Sequence, residues 1–243
     1  MNLLALDTST EWMSIALQRD SGDAATIWQH HAAGGALAST HLIPEIQRLM
    51  ALADLRFDEL DAVVFGAGPG SFTGLRTACS VAQGLAFGAG ITVLPMDTLL
   101  AVAEDARSQL GAPEALAVTA MLDARMDQVY AASYFFESDK WNIRKGYSLI
   151  SPEALEADVN DVLAGNVFAA YGARMPVGLQ RQVQALPTAT AMLRLAPTLL
   201  AASLAVRPEL ALPTYIRDKV AQTTAEREAA KLALAGAGGD KLA

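Results

Sequence analysis

Residues 62–88, AVVFGAGPGSFTGLRTACSVAQGLAFG, constrain the fold more than any other stretch of this sequence. A short apolar run at 63–65 is typical of a buried strand. Glycines and a proline follow between Gly66 and Gly74, and Ser71 can cap the helix that comes next. Small and apolar residues then continue a helix to about Phe87. A strand, a Gly-rich turn and a helix form the arrangement that directs backbone N–H groups at an anion.

Two interpretations of the Gly-rich turn remain open. Gly68, Gly70 and Ser71 are candidate phosphate contacts, but glycines also let a second backbone come close, so a tight strand–helix connection satisfies the same pattern. The turn is not a P-loop, because the Gly-Lys-Ser/Thr ending is missing, and GAGPG breaks the dinucleotide-binding spacing.

The predicted helix 74–87 has an unusual distribution of small residues. Gly74, Ala78, Ala82 and Ala86 recur every four residues and make one small-residue stripe, and few positions are suited to water. A surface helix normally has one apolar and one polar face. We interpret the helix either as lying between the sheet and another helix of this chain or as forming a surface for a partner.

Composition narrows the class of protein. The chain has 243 residues, of which 52% are hydrophobic, and a net charge of −8. It has no run of Lys or Arg, so we do not expect the chain alone to hold tRNA at physiological salt. The single cysteine, Cys79, rules out a disulfide framework and is usual for a cytoplasmic protein. No stretch is long and apolar enough for a membrane span, so we predict no membrane association.

The order of predicted elements favours two α/β lobes. In the first half, strands are predicted at 3–6, 13–17, 26–29, 62–65 and 91–94, and helices at 42–53, 74–87 and 97–109. Gly111-Ala112-Pro113 is the predicted boundary between domains 1–110 and 111–243. In the second half, strands are predicted at 116–122, 129–135, 146–150 and 167–171, a helix start at Ser151 and a helix at 189–205. The tail 225–243 is expected to fray.

An acid stands in the turn after the first strand of each half. Asp7, followed by Thr8 and Ser9, and Asp123 both occur in a strand–turn–strand pattern, which suggests two copies of one unit. Asp favours turns for local reasons, and this alone can explain each residue. Two facing acidic turns are also what the actin-like ATPase architecture uses to hold nucleotide phosphates and metal. Arg125 is expected to pair with Asp123.

Five segments in order resemble the TsaB (YeaZ) family: LALDTSTEWMSIAL, THLIPEIQRL, GPGSFTGLR, LDARMDQVY and PTYIRDKVA. These are tRNA threonylcarbamoyladenosine biosynthesis proteins and paralogues of the catalytic protein TsaD. The resemblance implies an α/β, two-lobed actin-like ATPase (ASKHA, RNase H-like) fold, with a mixed sheet flanked by helices in each lobe.

The resemblance further implies a scaffold without catalytic residues. It would bind TsaD, act with the ATPase TsaE and a TsaC-type enzyme, and contact tRNA only through the complex that modifies adenosine 37. TsaD carries an H-x-x-x-H pair where this chain has LPMDTLLA, without histidine, so no metal site is expected. No cofactor is expected either, although weak ATP or ADP binding at the partner interface is left open. A peptidase is not favoured, because Ser71 is not in a G-x-S-x-G elbow.

The resemblance places the TsaD interface on the two helices before and after the strand at 62–65. In the absence of TsaD the same face can form a homodimer. The residues predicted to make this interface are Leu42, Ile46, Leu49, Leu75, Ala78, Cys79, Ala82 and Leu85. An arginine at Ala82 is expected to abolish the association. The alternative function is an actin-like ATPase or phosphotransferase that uses Asp7 and Asp123.

Overall fold

The computed structural model describes residues 1–22, 24–176 and 181–217. The first five strands are β1 (Leu3–Asp7), β2 (Trp12–Asp20), β3 (Ala25–Ala33), β4 (Ala62–Gly68) and β5 (Thr92–Asp97). They form one mixed sheet in the order β3-β2-β1-β4-β5. The helices of this part are α1 (Ala38–Leu52), α2 (Phe72–Ala89) and α3 (Thr98–Gln109).

The second sheet repeats the topology of the first. Its strands are β6 (Leu116–Arg125), β7 (Gln128–Glu137), β8 (Lys140–Ile150), β9 (Val162–Gly165) and β10 (Arg181–Gln184). The α-helices in the described part of this half are α4 (Phe168–Tyr171) and α5 (Ala189–Ala201). The strand order is β10-β9-β6-β7-β8. In each sheet the first strand pairs antiparallel with the second and parallel with the fourth. The predicted two-lobed fold is therefore confirmed.

The helices are arranged in layers around the two sheets. Helices α1 and α2 cover one face of the first sheet, where their apolar residues join those of β1, β2 and β4 in one core. Helix α5 and Ala101 of α3 pack on the opposite face of that sheet. Other residues of α3 pack on the second sheet. The layer of α3 and α5 therefore lies between the lobes, and the boundary at residues 111–113 stays a prediction.

Helix α1 is longer than predicted. The segment 32–40, expected to be loose, instead contains the end of β3, a 3-10 turn and the first residues of α1. Pro44 consequently lies inside the helix rather than in its first turn. Helix α2 begins at Phe72, two residues before the predicted start, with the Ser71 hydroxyl as its N-cap acceptor.

The second lobe departs further from the predictions. The strand predicted at 167–171 is wrong, because this segment is the short helix α4, and the strand β9 precedes it. A continuous apolar run does not distinguish a strand from a helix by its period. The helix expected at Ser151 is only a 3-10 turn, Pro152–Ala154. The tail 225–243 lies outside the described residues. No helix of the described part could span a membrane.

Candidate functional site

The Gly-rich turn packs directly on the turn that follows β1. The Ser71 amide donates to the carbonyl oxygen of Ser9 at 2.7 Å, and the Thr8 hydroxyl donates to the carbonyl oxygen of Gly74 at 2.7 Å. A Cβ atom on Gly74 would lie 1.8 Å from the Thr8 oxygen, and one on Gly70 would lie 2.6 Å from the Ser9 Cβ. The close approach of the two turns therefore accounts for these two glycines.

Gly66 provides room for the first acid. A Cβ atom there would lie 1.9 Å from Oδ2 of Asp7. Asp7 is only 1% exposed, and its Oδ1 accepts from the Ser9 amide at 2.9 Å and the Ser9 hydroxyl at 2.8 Å. Oδ2 is buried without a hydrogen-bond partner among the described residues. Burial raises the pKa of Asp7 to about 7, against the lowering effect of the Ser9 hydrogen bonds.

Asp123, the acid of the second lobe, forms its contacts with residues of that same lobe. Oδ2 of Asp123 forms an ion pair with Nη1 of Arg125 at 3.1 Å, as predicted. Oδ1 accepts from the Arg125 amide at 2.8 Å and from the Tyr171 hydroxyl at 3.0 Å. Asn166 fixes the same turn, because its Oδ1 accepts from the Asp123 amide at 2.9 Å. The acid is therefore held by a cation and two hydrogen-bond donors of its own lobe.

A cleft of about 340 Å³ separates the two turns. Three of the six predicted phosphate contacts, Ser9, Gly70 and Ser71, line this cleft, and Asp123 lines its other side. The remaining three, Asp7, Thr8 and Gly68, do not line it. The two turns thus face each other as the acid pattern predicted, but only one of the two acids borders the space between them.

A segment for which the sequence predicted neither a helix nor a strand crosses the mouth of the cleft. We call residues 206–217 the strap. The Thr214 amide donates to the Ala67 carbonyl oxygen at 2.7 Å in the first lobe. Arg217 donates to the Ala124 carbonyl oxygen at 2.9 Å in the second lobe. The only signal in the sequence was the segment PTYIRDKVA, which has no periodic pattern to predict such contacts.

The strap also contacts the start of α2. The ring of Tyr215 lies 4.9 Å from that of Phe72, and the Arg76 guanidinium lies 3.7 Å above the Phe72 ring. Nε of Arg76 donates to the Tyr215 hydroxyl at 3.1 Å. Two of the motifs that carry the family resemblance, GPGSFTGLR and PTYIRDKVA, therefore meet in the structure.

Seven of the eight residues predicted at a partner interface are buried within this chain. All seven lie in the core of the first lobe or at its margin. They are Leu42, Ile46, Leu49, Leu75, Ala78, Cys79 and Ala82. Leu85 is partly buried at the edge of the same core. The stripe Ala78, Ala82 and Ala86 faces the sheet, because small residues let the helix approach it. These side chains are therefore covered by the chain itself, and the interface with a partner stays a prediction.

The outward face of α2 carries a second row of small residues. Ser80, Gly84 and Gly88 are exposed at spacings of four, and Cβ atoms on the two glycines would meet nothing within 4 Å. Phe87, beside this row, is 77% exposed. On α1 the exposed large apolar residues are Ile43 and Leu52.

The histidines do not form a pair. His30 lies 3.5 Å from a carboxylate oxygen of Glu45 on α1, whereas the neighbouring His31 stacks on Trp12 at 5.0 Å. Within the described residues no three His, Cys, Asp or Glu side chains are grouped so that they could hold a metal ion. The predicted lack of a metal site stays a prediction.

Two lobes of identical sheet topology that face each other across a cleft define the class of two-lobed actin-like proteins. The family model described as "TsaD: tRNA N6-adenosine threonylcarbamoyltransferase" matches residues 35–241. By overall sequence similarity the chain belongs to the TsaB (YeaZ) family.

The relatives that show this family membership are similar to this chain over most of their own length. The tRNA threonylcarbamoyladenosine biosynthesis protein TsaB of Escherichia coli is 31% identical over 91% of this chain and 96% of its own. TsaB of Haemophilus influenzae is 35% identical over 90% of this chain and 95% of its own. The solved structure of YeaZ from Pseudomonas aeruginosa has a TM-score of 0.78 at 36% identity and covers 88% of this chain and 99% of its own.

Proposed function

We propose that this chain takes part in the formation of N6-threonylcarbamoyladenosine at position 37 of tRNAs that read codons beginning with A, as a non-catalytic scaffold that binds and activates TsaD. Its relatives are named as biosynthesis proteins of this nucleoside. The proposal also includes TsaE and a TsaC-type enzyme as functional partners, with tRNA reaching this chain only through the complex.

The observation that carries the non-catalytic role is the state of the two acids. Asp7 is buried behind Gly66 and about half protonated near pH 7, because its pKa is raised to about 7. Asp123 is engaged by Arg125 and Tyr171. Mg²⁺ prefers accessible, ionised carboxylates. Neither acid is free in this sense to hold the metal and phosphates of a nucleotide.

The start of α3 supports the same role. Here the family resemblance aligns the H-x-x-x-H pair of TsaD with the segment 94–101, which has no histidine. Asp97 in this segment caps α3, since its Oδ1 accepts from the Leu99 amide at 2.9 Å. Its Oδ2 accepts from the Tyr134 hydroxyl at 2.6 Å. The position is therefore occupied by a structural contact between the lobes.

The surface that we propose for TsaD is the outward face of α2 together with the adjoining side of α1. Ser80, Gly84 and Gly88 let a partner helix come close, and Phe87 and Ile43 provide exposed apolar area beside them. Two helices of this chain and two of a paralogue can close a four-helix bundle in this way. The same face can join two copies of this chain when TsaD is absent.

The experiment that tests the proposal is the substitution Gly84→Arg. The side chain has open space in the free chain, so the fold is retained, but an unpaired charge enters the contact with TsaD. Such a charge costs about 3–5 kcal/mol when it is buried without a partner, or at least about a hundredfold in affinity. We expect that loss in calorimetry with purified TsaD, together with loss of tRNA modification in the reconstituted system.

The matched control is Gly146→Arg, the same change at an exposed glycine of β8 in the other lobe, which also has open space. It should leave both measurements unchanged. If Gly84→Arg binds TsaD with unaltered affinity while its circular dichroism spectrum shows a folded chain, the surface on α2 is wrong.

The alternative function is an actin-like ATPase or phosphotransferase that uses Asp7 and Asp123. The cleft between Ser71 and Asp123 favours it, because that space lies where the class binds nucleotides. Under the scaffold proposal the purified chain with ATP and Mg²⁺ shows no turnover above the blank. Turnover that disappears in Asp123→Ala would establish the alternative.

A further inference from the structure

The strap lies beside α2 on the side away from α1. Val206 pairs with Val93 at the free edge of β5, the last strand of the first sheet. Nε2 of Gln83 donates to the carbonyl oxygens of Pro208 at 3.0 Å and Ala211 at 2.9 Å. Since α1 packs on β2 and β3 at the other end of the sheet, α2 has α1 on one flank and the strap on the other.

The outward face of α2 therefore lies between these two flanks, and we call this face the floor and the two flanks the walls. The floor consists of small residues, with Ser80, Gly84 and Gly88 exposed along it. One wall is α1, which contributes Ile43. The other wall is the strap, on which Leu210 is 59% exposed and Leu212 is 72% exposed. The row Ser80, Gly84 and Gly88 lets a partner helix come close, and Phe87 and the walls add apolar side chains beside it, which suits an inserted helix pair.

Both ends of the strap are fixed before any partner arrives, and the first of them is held by the pairing of Val206 with Val93. The Thr214 amide is bonded to Ala67, the Tyr215 ring packs on Phe72, and Arg217 is bonded to the second-lobe carbonyl of Ala124. A segment that is already ordered loses little conformational entropy on binding. The exposed leucines of the strap are thus presented in a preorganised form.

We propose that the strap is the second wall of the TsaD-binding groove and that Leu210 and Leu212 contact TsaD. This inference rests on the function proposed above. A stable interface buries about 800 Å² on each partner and has an apolar or aromatic centre. The outward face of α2 is mostly Gly, Ser and Thr and offers little apolar area. The strap, continuous with that face, provides the area that a stable contact requires.

The test is Leu212→Asp, measured by calorimetry against purified TsaD. The free chain should keep its fold, because this side chain is largely in water. We expect affinity to fall about ten- to a hundredfold, as the loss of one buried leucine implies. Leu210→Asp should show the same effect. The control is Ile143→Asp, which changes a side chain that is 71% exposed in the other lobe and should bind normally.

The outcomes separate this inference from the proposed function. If Gly84→Arg loses TsaD binding and the two strap variants do not, the strap is not part of the groove. If Gly84→Arg also binds normally, the proposed function loses its docking surface. If the strap variants change only the self-association of this chain, the occupant is a second copy and the inference is wrong. An equal loss in Ile143→Asp would also contradict it, by showing a general effect of charge.

Discussion

The buried acid Asp7 makes the stability of this chain depend on pH in a direction opposite to that of most carboxylates. Burial raises the pKa of Asp7 to about 7, whereas an unfolded chain has an Asp pKa of about 3.9. The folded state therefore holds the proton more tightly. The stability that this provides is fully present below about pH 4 and is lost as the pH rises through 7.

The magnitude follows from the difference between the two pKa values. Each unit corresponds to about 1.36 kcal/mol, so the whole effect is about 4 kcal/mol. Between pH 5 and pH 8 most of the loss occurs over the two units below 7, which gives a decrease of about 3 kcal/mol from Asp7 alone. This is a large part of the 5–15 kcal/mol by which a typical domain is stable.

The substitution Asp7→Asn isolates the effect of this one group. The Asn side chain keeps an oxygen for the Ser9 donors but does not titrate. Burial also raises the pKa of Asp97, but that group is present in both proteins and cancels in their difference. Denaturant unfolding at pH 5 and pH 8 should show that Asp7→Asn gains about 3 kcal/mol of stability relative to the wild type over this range. A difference that stays constant within about 0.5 kcal/mol would refute the raised pKa.

Four other substitutions test the local contacts. Gly74→Ala should destabilise the chain by about 1–3 kcal/mol or more in thermal unfolding, because the new Cβ meets the Thr8 carbonyl oxygen. Gly88→Ala, where the Cβ has open space, should stabilise the chain by about 1 kcal/mol. Equal effects of the two substitutions would contradict this. Ala82→Arg should unfold the chain rather than only block a partner, because Ala82 is buried. A melting temperature equal to that of the wild type would contradict this. Arg217→Ala should speed hydrogen exchange of the Thr214 amide, and unchanged protection would show that Arg217 does not hold the strap.

The architecture of the first lobe could be predicted from the sequence because its signals are local. The apolar face of α1 has a clear helical period, and the Gly-rich turn stands between a β-branched run and a helix. The presence of two similar lobes was also predictable, since Asp7 and Asp123 each follow a strand in the same strand–turn–strand pattern. Arg125 was expected to pair with Asp123, and the structure shows this contact.

Which small residues of α2 are buried and which are exposed could not be predicted, because they lie on both sides of the helix. Ala78 and Ala82 let the helix approach its own sheet, and Ser80, Gly84 and Gly88 lie on the outside. Both rows have the same spacing of four, so periodicity alone does not say which is buried. The position of the strap was not predictable either, since the contacts that hold it to the two lobes, such as that of Tyr215 with Phe72, join residues far apart in sequence.

The two lobes share one sheet topology but differ in the connections between their strands. In the first lobe, α1 and the 18-residue α2 make the crossovers to β4 and β5. At the equivalent places in the described part of the second lobe, the crossovers contain the turn Pro152–Ala154 and the four-residue α4. A four-residue helix has too few turns to present an extended stripe to another helix. The duplicated fold thus has a long helical face on the first lobe, where we propose that the partner docks, and the strap joins that face to the cleft between the lobes.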